Sequence, residues 1–94
     1  MAAQVKIYTT PWCGYCMAAL RFLRRKGVEI EQVEADDAKT RRWLREVTGR
    51  RTVPQIFIDG KPVGGYTDIR DLDNRGLLDR MLAGEPTQGS SVSG

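Results

Sequence analysis

The sequence predicts one α/β domain, a four-stranded mixed sheet with helices on both faces. Three observations carry this. Residues 5–34 read as strand, helix and strand, and a unit of that length closes as a parallel, right-handed pair. Asp59-Gly60 joins two short strand patterns, a strong signal for a two-residue antiparallel hairpin. Segments with helical spacing stand before and after that hairpin.

Taken in order, Val5 and Ile7 alternate with polar neighbours as a first strand ending near Thr9. Thr10-Pro11-Trp12 is a loop that delivers Cys13. A helix follows from about Gly14 to Lys26, because Cys16, Ala19, Leu20 and Leu23 fall on one face, and Gly27 ends it. Alternation resumes at Val28 and runs to about Glu34. Asp36 or Asp37 caps a second helix whose inner face is Trp43, Leu44 and Val47. Arg41, Arg42 and Arg45 face outward, and Thr48-Gly49 closes the helix. Arg50-Arg51-Thr52 is a loop before Val53-Pro54. The unbroken run Gln55–Ile58 suits a central strand. Lys61-Pro62-Val63 returns as an edge strand, since Pro62 has no N–H for a ladder. After the turn Gly64-Gly65-Tyr66, Thr67 is expected to cap a third helix with Asp68 in its first turn and Ile69 and Leu72 facing in. Asn74-Arg75-Gly76 interrupts, and Leu77, Leu78, Met81 and Leu82 continue to Gly84. The folded domain is thus residues 1–84. The tail 85–94 has almost nothing to bury and is expected to be disordered.

At 94 residues there is room for one domain, and a modest hydrophobic core can hold it. No apolar run approaches the roughly 18 residues of a membrane span, and Met-Ala-Ala-Gln leads into a strand rather than a secretory signal. A net charge of +3 mildly favours an anionic ligand. Arg21-Phe22-Leu23-Arg24-Arg25-Lys26 reads as a solvated helix face rather than a nucleic-acid contact. No nucleic acid and no membrane are therefore expected among the partners.

The chemistry lies in Cys13-Gly14-Tyr15-Cys16, which holds both cysteines of the chain. Cys16 shares the buried stripe of its helix, where a thiol is hard to ionise. Cys13 sits one turn earlier, where free N–H groups and the helix dipole favour an anion, and Gly14 keeps an N–H to offer its sulfur. An accessible thiolate beside a buried partner is the asymmetry that thiol–disulfide exchange needs. Structural zinc wants about four ligands, and the chain has no His and no third Cys. A permanent disulfide across so short a loop stabilises little. Two cysteines in this spacing suit a reducing compartment, here the cytoplasm.

The chain resembles the glutaredoxin family. The stretches that carry the likeness are Ile7-Tyr8-Thr9 through Cys16, Thr48-Gly49, Thr52 to Gly60, and Gly64 to Asp68. The resemblance implies the thioredoxin-like fold, strand order 2-1-3-4, and a glutathione-dependent oxidoreductase. Cys13 would be the nucleophile and Cys16 the resolving thiol. Thr52-Val53-Pro54 would match the family's Thr-Val-Pro segment, with a cis Pro54 and the Val53 backbone pairing with glutathione. Gly64 to Asp68 would match its Gly-Gly-x-x-Asp: with Gly65 in the turn, Thr67 would hold the γ-glutamyl carboxylate and Asp68 the ammonium. Arg41 would meet the glycyl carboxylate, and Tyr15 would flank the ligand. Partners would be glutathione and glutathionylated or disulfide-containing proteins, with a monomer as the working unit. Two positions depart from the common pattern: Thr10 stands where many members carry Lys, and Gly14 where many dithiol members carry Pro. Some members with Gly or Ser at the Gly14 position bind a [2Fe–2S] cluster between two protomers, so Cys13 is also a candidate metal ligand in a dimer.

Overall fold

A computed structural model describes residues 3–84. The expected disorder of 85–94 lies outside the described residues. Four strands, β1 (Val5–Thr9), β2 (Ile30–Glu34), β3 (Gln55–Ile58) and β4 (Lys61–Gly64), form one sheet in the order β2-β1-β3-β4. β1 pairs parallel with β2 and antiparallel with β3, and β3 pairs antiparallel with β4. Helices α1 (Gly14–Arg25), α2 (Ala38–Thr48), α3 (Tyr66–Asn74) and α4 (Leu78–Leu82) complete the fold. Mixed sheet and strand order agree with expectation. β4 is an edge strand, as Pro62 requires.

Strand alternation divides the core. Val5, Ile7, Ile56 and Ile58 point to one face, where Ala19, Leu20 and Leu23 of α1, Ile69 of α3, and Leu78 and Leu82 of α4 cover them. Tyr8 and Phe57 point to the other face and meet Leu44 of α2 and Ala35. The second face has only α2 over it, and that corrects one expectation. Trp43 and Val47, placed on the inner face by their spacing, are each 43% exposed, and only Leu44 is fully buried. Trp43 nonetheless stacks on Phe57 at 5.9 Å between ring centroids and tilts onto Tyr8 at 5.6 Å. One helix cannot roof a four-stranded sheet, so its flank residues stay half open.

Helix ends follow their caps. Asp37 accepts from the Thr40 N–H at 2.9 Å and starts α2. α3 starts two residues earlier than expected: Gly65 is its N-cap, so Thr67 lies inside the first turn and does not cap it. Asp68 closes the cap instead, accepting from the Gly65 N–H at 2.8 Å, a carboxylate three residues along reaching back to the cap backbone.

One ion cluster ties the helices together. Lys26 Nζ, at the end of α1, lies 2.5 Å from Asp73 Oδ1 and 3.0 Å from Asp79 Oδ1. The hydrogen bonds that Lys26 donates to the two carboxylates, Asp73 foremost, raise its pKa above the usual lysine value. Replacement of Lys26 by Met should cost about 1 kcal/mol, because the cluster is partly shielded and joins three helices. Urea denaturation should show a lower midpoint with an unchanged slope, and high salt should narrow the gap between variant and parent.

Candidate functional site

The sheet's C-terminal edge at β1 runs into the loop Thr10-Pro11-Trp12 and then into α1. Trp12 adopts a positive φ of 65° and is fully exposed. The turn brings Cys13 to the N-cap of α1 with extended backbone, φ −102° and ψ 109°. Cys13 Sγ accepts the Cys16 N–H at 3.1 Å. The expected donor was Gly14. A cap side chain, however, reaches the second or third helical N–H rather than the first. No acidic residue stands in the first turn of α1 to oppose a negative sulfur.

The two thiols differ as expected. Cys13 is partly exposed and Cys16 is buried at 2% exposure. Burial, with help from the neighbouring Cys13 thiol and against a pull from the Thr10 backbone, pushes the Cys16 pKa from 9.0 up to about 12. No disulfide joins the two cysteines in this structure.

One further segment reaches Cys13, and a second packs against that one. The first is the loop before β3, where the Val53–Pro54 peptide is cis. Cys13 Sγ donates weakly to the Val53 carbonyl at 3.9 Å. Gln55 braces the loop from within: it is 1% exposed, and its Nε2 donates to the Thr52 carbonyl at 2.9 Å and to Thr52 Oγ1 at 3.4 Å. The second is the Gly64-Gly65 turn. A Cβ at Gly65 would stand 3.1 Å from the Pro54 carbonyl oxygen, so a side chain there would crowd the cis loop and push it back by a few tenths of an ångström. Gly64 has φ 100°, and a Cβ there would collide with the Asp68 carboxylate.

Asp68 is the most engaged polar residue of the site. It accepts the Gly65 N–H and pairs with Arg50 Nη1 at 2.6 Å. The Arg50 guanidinium first, and the Gly65 N–H second, hold its carboxyl below the usual carboxylate range. Arg50 and Gln55 are the residues that sequence reasoning passed over. Arg50 read as half of a loop doublet, and Gln55 as part of an apolar strand.

Of the other candidates, Thr67 is exposed beside Asp68, and Thr52 is exposed at the rim of the cis loop. Tyr15 is 66% exposed, its ring 6.3 Å from Tyr66. Arg41 lies across the loop, donating to the Arg51 carbonyl at 3.3 Å. It borders a hollow of about 350 Å³ that also touches Thr52 and Val53. A second hollow of about 460 Å³ flanks Cys13 on the side of Trp12, Met17 and Glu34. The described residues hold no group of three or more Cys, His, Asp or Glu that could bind a metal ion.

Residues 5–63 match the Glutaredoxin family. The chain is 44% identical over 81 residues to glutaredoxin 3 of Escherichia coli, covering 85% of this chain and 98% of that protein. It is 40% identical over 84 residues to a probable glutaredoxin of Synechocystis sp., covering 87% and 96%. Among solved structures, the glutaredoxin of Brucella melitensis superimposes with a TM-score of 0.79 at 41% identity, covering 87% of this chain and 90% of that one. A buckwheat glutaredoxin–glutathione complex superimposes with a TM-score of 0.79 at 27% identity, covering 85% and 76%.

Two measurements check this geometry. Iodoacetamide at neutral pH should label Cys13 and spare Cys16, as read by mass spectrometry; equal labelling would contradict the asymmetry. The folded-state pKa of Cys16 lies above its unfolded value, so its contribution to stability is intact below about pH 9 and is lost as pH climbs towards about 12. A Cys16→Ala protein should lose that part of the alkaline decline. Separately, Gly64→Ala should lower stability by more than about 1 kcal/mol, through positive φ and the clash with Asp68.

Proposed function

The chain belongs to the glutaredoxin family and is a thiol–disulfide oxidoreductase of the thioredoxin fold; from that premise we propose that glutathione is its reductant and that Cys13 carries the exchange. The observation that supports this best is the unlike pair: an accessible sulfur capped by a helix N–H, three residues before a buried thiol. That a glutaredoxin of the same fold forms a complex with glutathione supports the choice of ligand.

In the proposed site the Val53 backbone lies beside Cys13 and pairs with the cysteine peptide of glutathione in strand fashion. Thr67 takes the γ-glutamyl carboxylate. Asp68 takes the ammonium, which must share the carboxylate with Arg50 or displace it. Gly65 admits the ligand close to the turn, Thr52 and Tyr15 border it, and Arg41 meets the glycyl carboxylate. Thr10 offers no cation where many members have a lysine, so the arginines beside the cis loop carry more of the ligand's negative charge.

The first route needs one protein thiol. Cys13 thiolate attacks the glutathione sulfur of a glutathionylated protein; the S–S bond breaks, the target thiolate leaves, and Cys13 holds glutathione in a mixed disulfide. A glutathione thiolate then attacks that glutathione sulfur, releasing oxidised glutathione and restoring the Cys13 thiolate. The second route reduces protein disulfides. Cys13 forms a mixed disulfide with the target, and Cys16 attacks Cys13. Its proton passes to the departing target thiolate, and a Cys13–Cys16 bond forms. Two glutathiones reduce that bond. Burial disfavours the Cys16 thiolate, so in the dithiol route its proton must leave as the sulfur attacks. We place the reaction in a reducing compartment such as the cytoplasm, with the monomer as the working unit.

Cys13→Ser should abolish turnover of a glutathionylated peptide in a glutathione reductase-coupled assay. Cys16→Ser should keep that turnover and lose reduction of protein disulfides. Full peptide turnover by the Cys13 variant would end the assignment. Asp68→Asn should raise the KM for glutathione about tenfold, the weight of one charge-assisted hydrogen bond, with kcat little changed.

A further inference from the structure

We propose that the hollow lined by Arg41, Arg42, Arg45, Arg50 and Arg51 docks an acidic stretch of the protein substrate, so that the enzyme selects disulfides with acidic surroundings. The inference rests on the oxidoreductase reading and adds a substrate class to it. The hollow opens beside Val53, whose carbonyl faces Cys13 Sγ, so a chain leaving a mixed disulfide at Cys13 can run directly over it. Its lining contains five arginines and no carboxylate.

Two of the five already have partners: Arg41 donates to the Arg51 carbonyl and Arg50 pairs with Asp68. The side chains of Arg42, Arg45 and Arg51 have no ion-pair or hydrogen-bond partner among the described residues. Arg42 and Arg45 stand three apart on exposed α2, so their charges share one side of the helix and repel. Residues 38–53 carry six cations against the single carboxylate of Glu46, an excess larger than the +3 of the entire chain. The remainder is net acidic, although Arg21 to Lys26 forms a second basic run on α1, where Lys26 is already paired with Asp73 and Asp79.

Glutathione does not use up the positive charge of the hollow. Its two carboxylates are already met by Thr67 and Arg41 in the proposed site, which leaves Arg42 and Arg45 without a role in holding it. A polypeptide with several Asp or Glu residues near its reactive cysteine matches the surplus. Guanidinium groups take carboxylates through paired hydrogen bonds, and a concentrated positive patch speeds encounter with an acidic partner.

The test compares two peptides, each glutathionylated on one cysteine, flanked by Asp and Glu in one and by Lys in the other, with hydroxyethyl disulfide as a small neutral substrate. At low ionic strength the parent protein should turn over the acidic peptide with a kcat/KM about tenfold higher, and added salt should shrink the preference. The double substitution Arg42→Glu, Arg45→Glu should abolish or reverse the preference, with hydroxyethyl disulfide turnover within about twofold of the parent. Arg42→Ala, Arg45→Ala gives the same comparison without added negative charge. Equal turnover of both peptides by the parent, or a preference that survives both double variants, would overturn the proposal. A cysteine-free acidic peptide, followed through backbone amide shifts, reads the surface without the chemistry. Shifts centred on Arg42 and Arg45 support docking even if no substrate is turned over, which separates this proposal from the oxidoreductase reading. Absence of those shifts overturns it, as does tighter binding of a single-stranded oligonucleotide at the same residues.

Discussion

The hydrogen bond from the Cys16 N–H to Cys13 Sγ is the interaction on which the site depends. It links the two cysteines through a backbone group rather than a covalent bond. The Cys16 side chain is anchored in the core, at 2% exposure, on the same helical face as Ala19, Leu20 and Leu23. That anchoring fixes the first turn of α1, and the first turn aims the donor. The accessible sulfur is held in place by the burial of its partner, so one residue serves both the hydrophobic core and the reactive edge.

Around this bond, three separate segments meet with little slack. The cis Val53–Pro54 loop approaches from below β3, braced by Gln55 through the Thr52 carbonyl. The Gly64-Gly65 turn approaches from β4 and touches the Pro54 carbonyl so closely that a methyl group would crowd it. Asp68 then joins the turn to the loop by accepting from Gly65 on one side and from Arg50 on the other. Capping of α3 and placement of a charge beside the cis loop are therefore one event. A carboxylate that caps a helix is already oriented, and orientation before binding lowers the entropy that a ligand must lose.

The arginines divide by position. Arg50 faces inward to Asp68, Arg41 spans to the Arg51 backbone, and Arg42 and Arg45 face the open hollow of α2. The half-exposed Trp43 between them shows how thinly this side of the sheet is covered. A face with one helix over it leaves room for a partner, whereas the face under α1, α3 and α4 is closed.

Much of this was determined by local patterns. Strand alternation at Val5 and Ile7, the helical stripe through Cys16 and Leu23, the Asp59-Gly60 turn and the edge proline Pro62 are short-range signals, and they specify element type, order and the reactive pair. The resemblance added Val53-Pro54 and Gly64 to Asp68 as neighbours of Cys13. The rest needed the tertiary structure. Which N–H caps Cys13 depends on helix geometry and not on which residue lacks a ring. Trp43 and Val47 have core-like spacing, yet how far a helix overlaps its sheet is set by packing, so their exposure was not written in their period. The Arg50–Asp68 pair spans eighteen positions of sequence, and Gln55 hides in an apolar run. No local rule selects one arginine of a doublet, or one amide in a strand, as the group that reaches across a fold; only the closure of the sheet brings such partners within hydrogen-bond range.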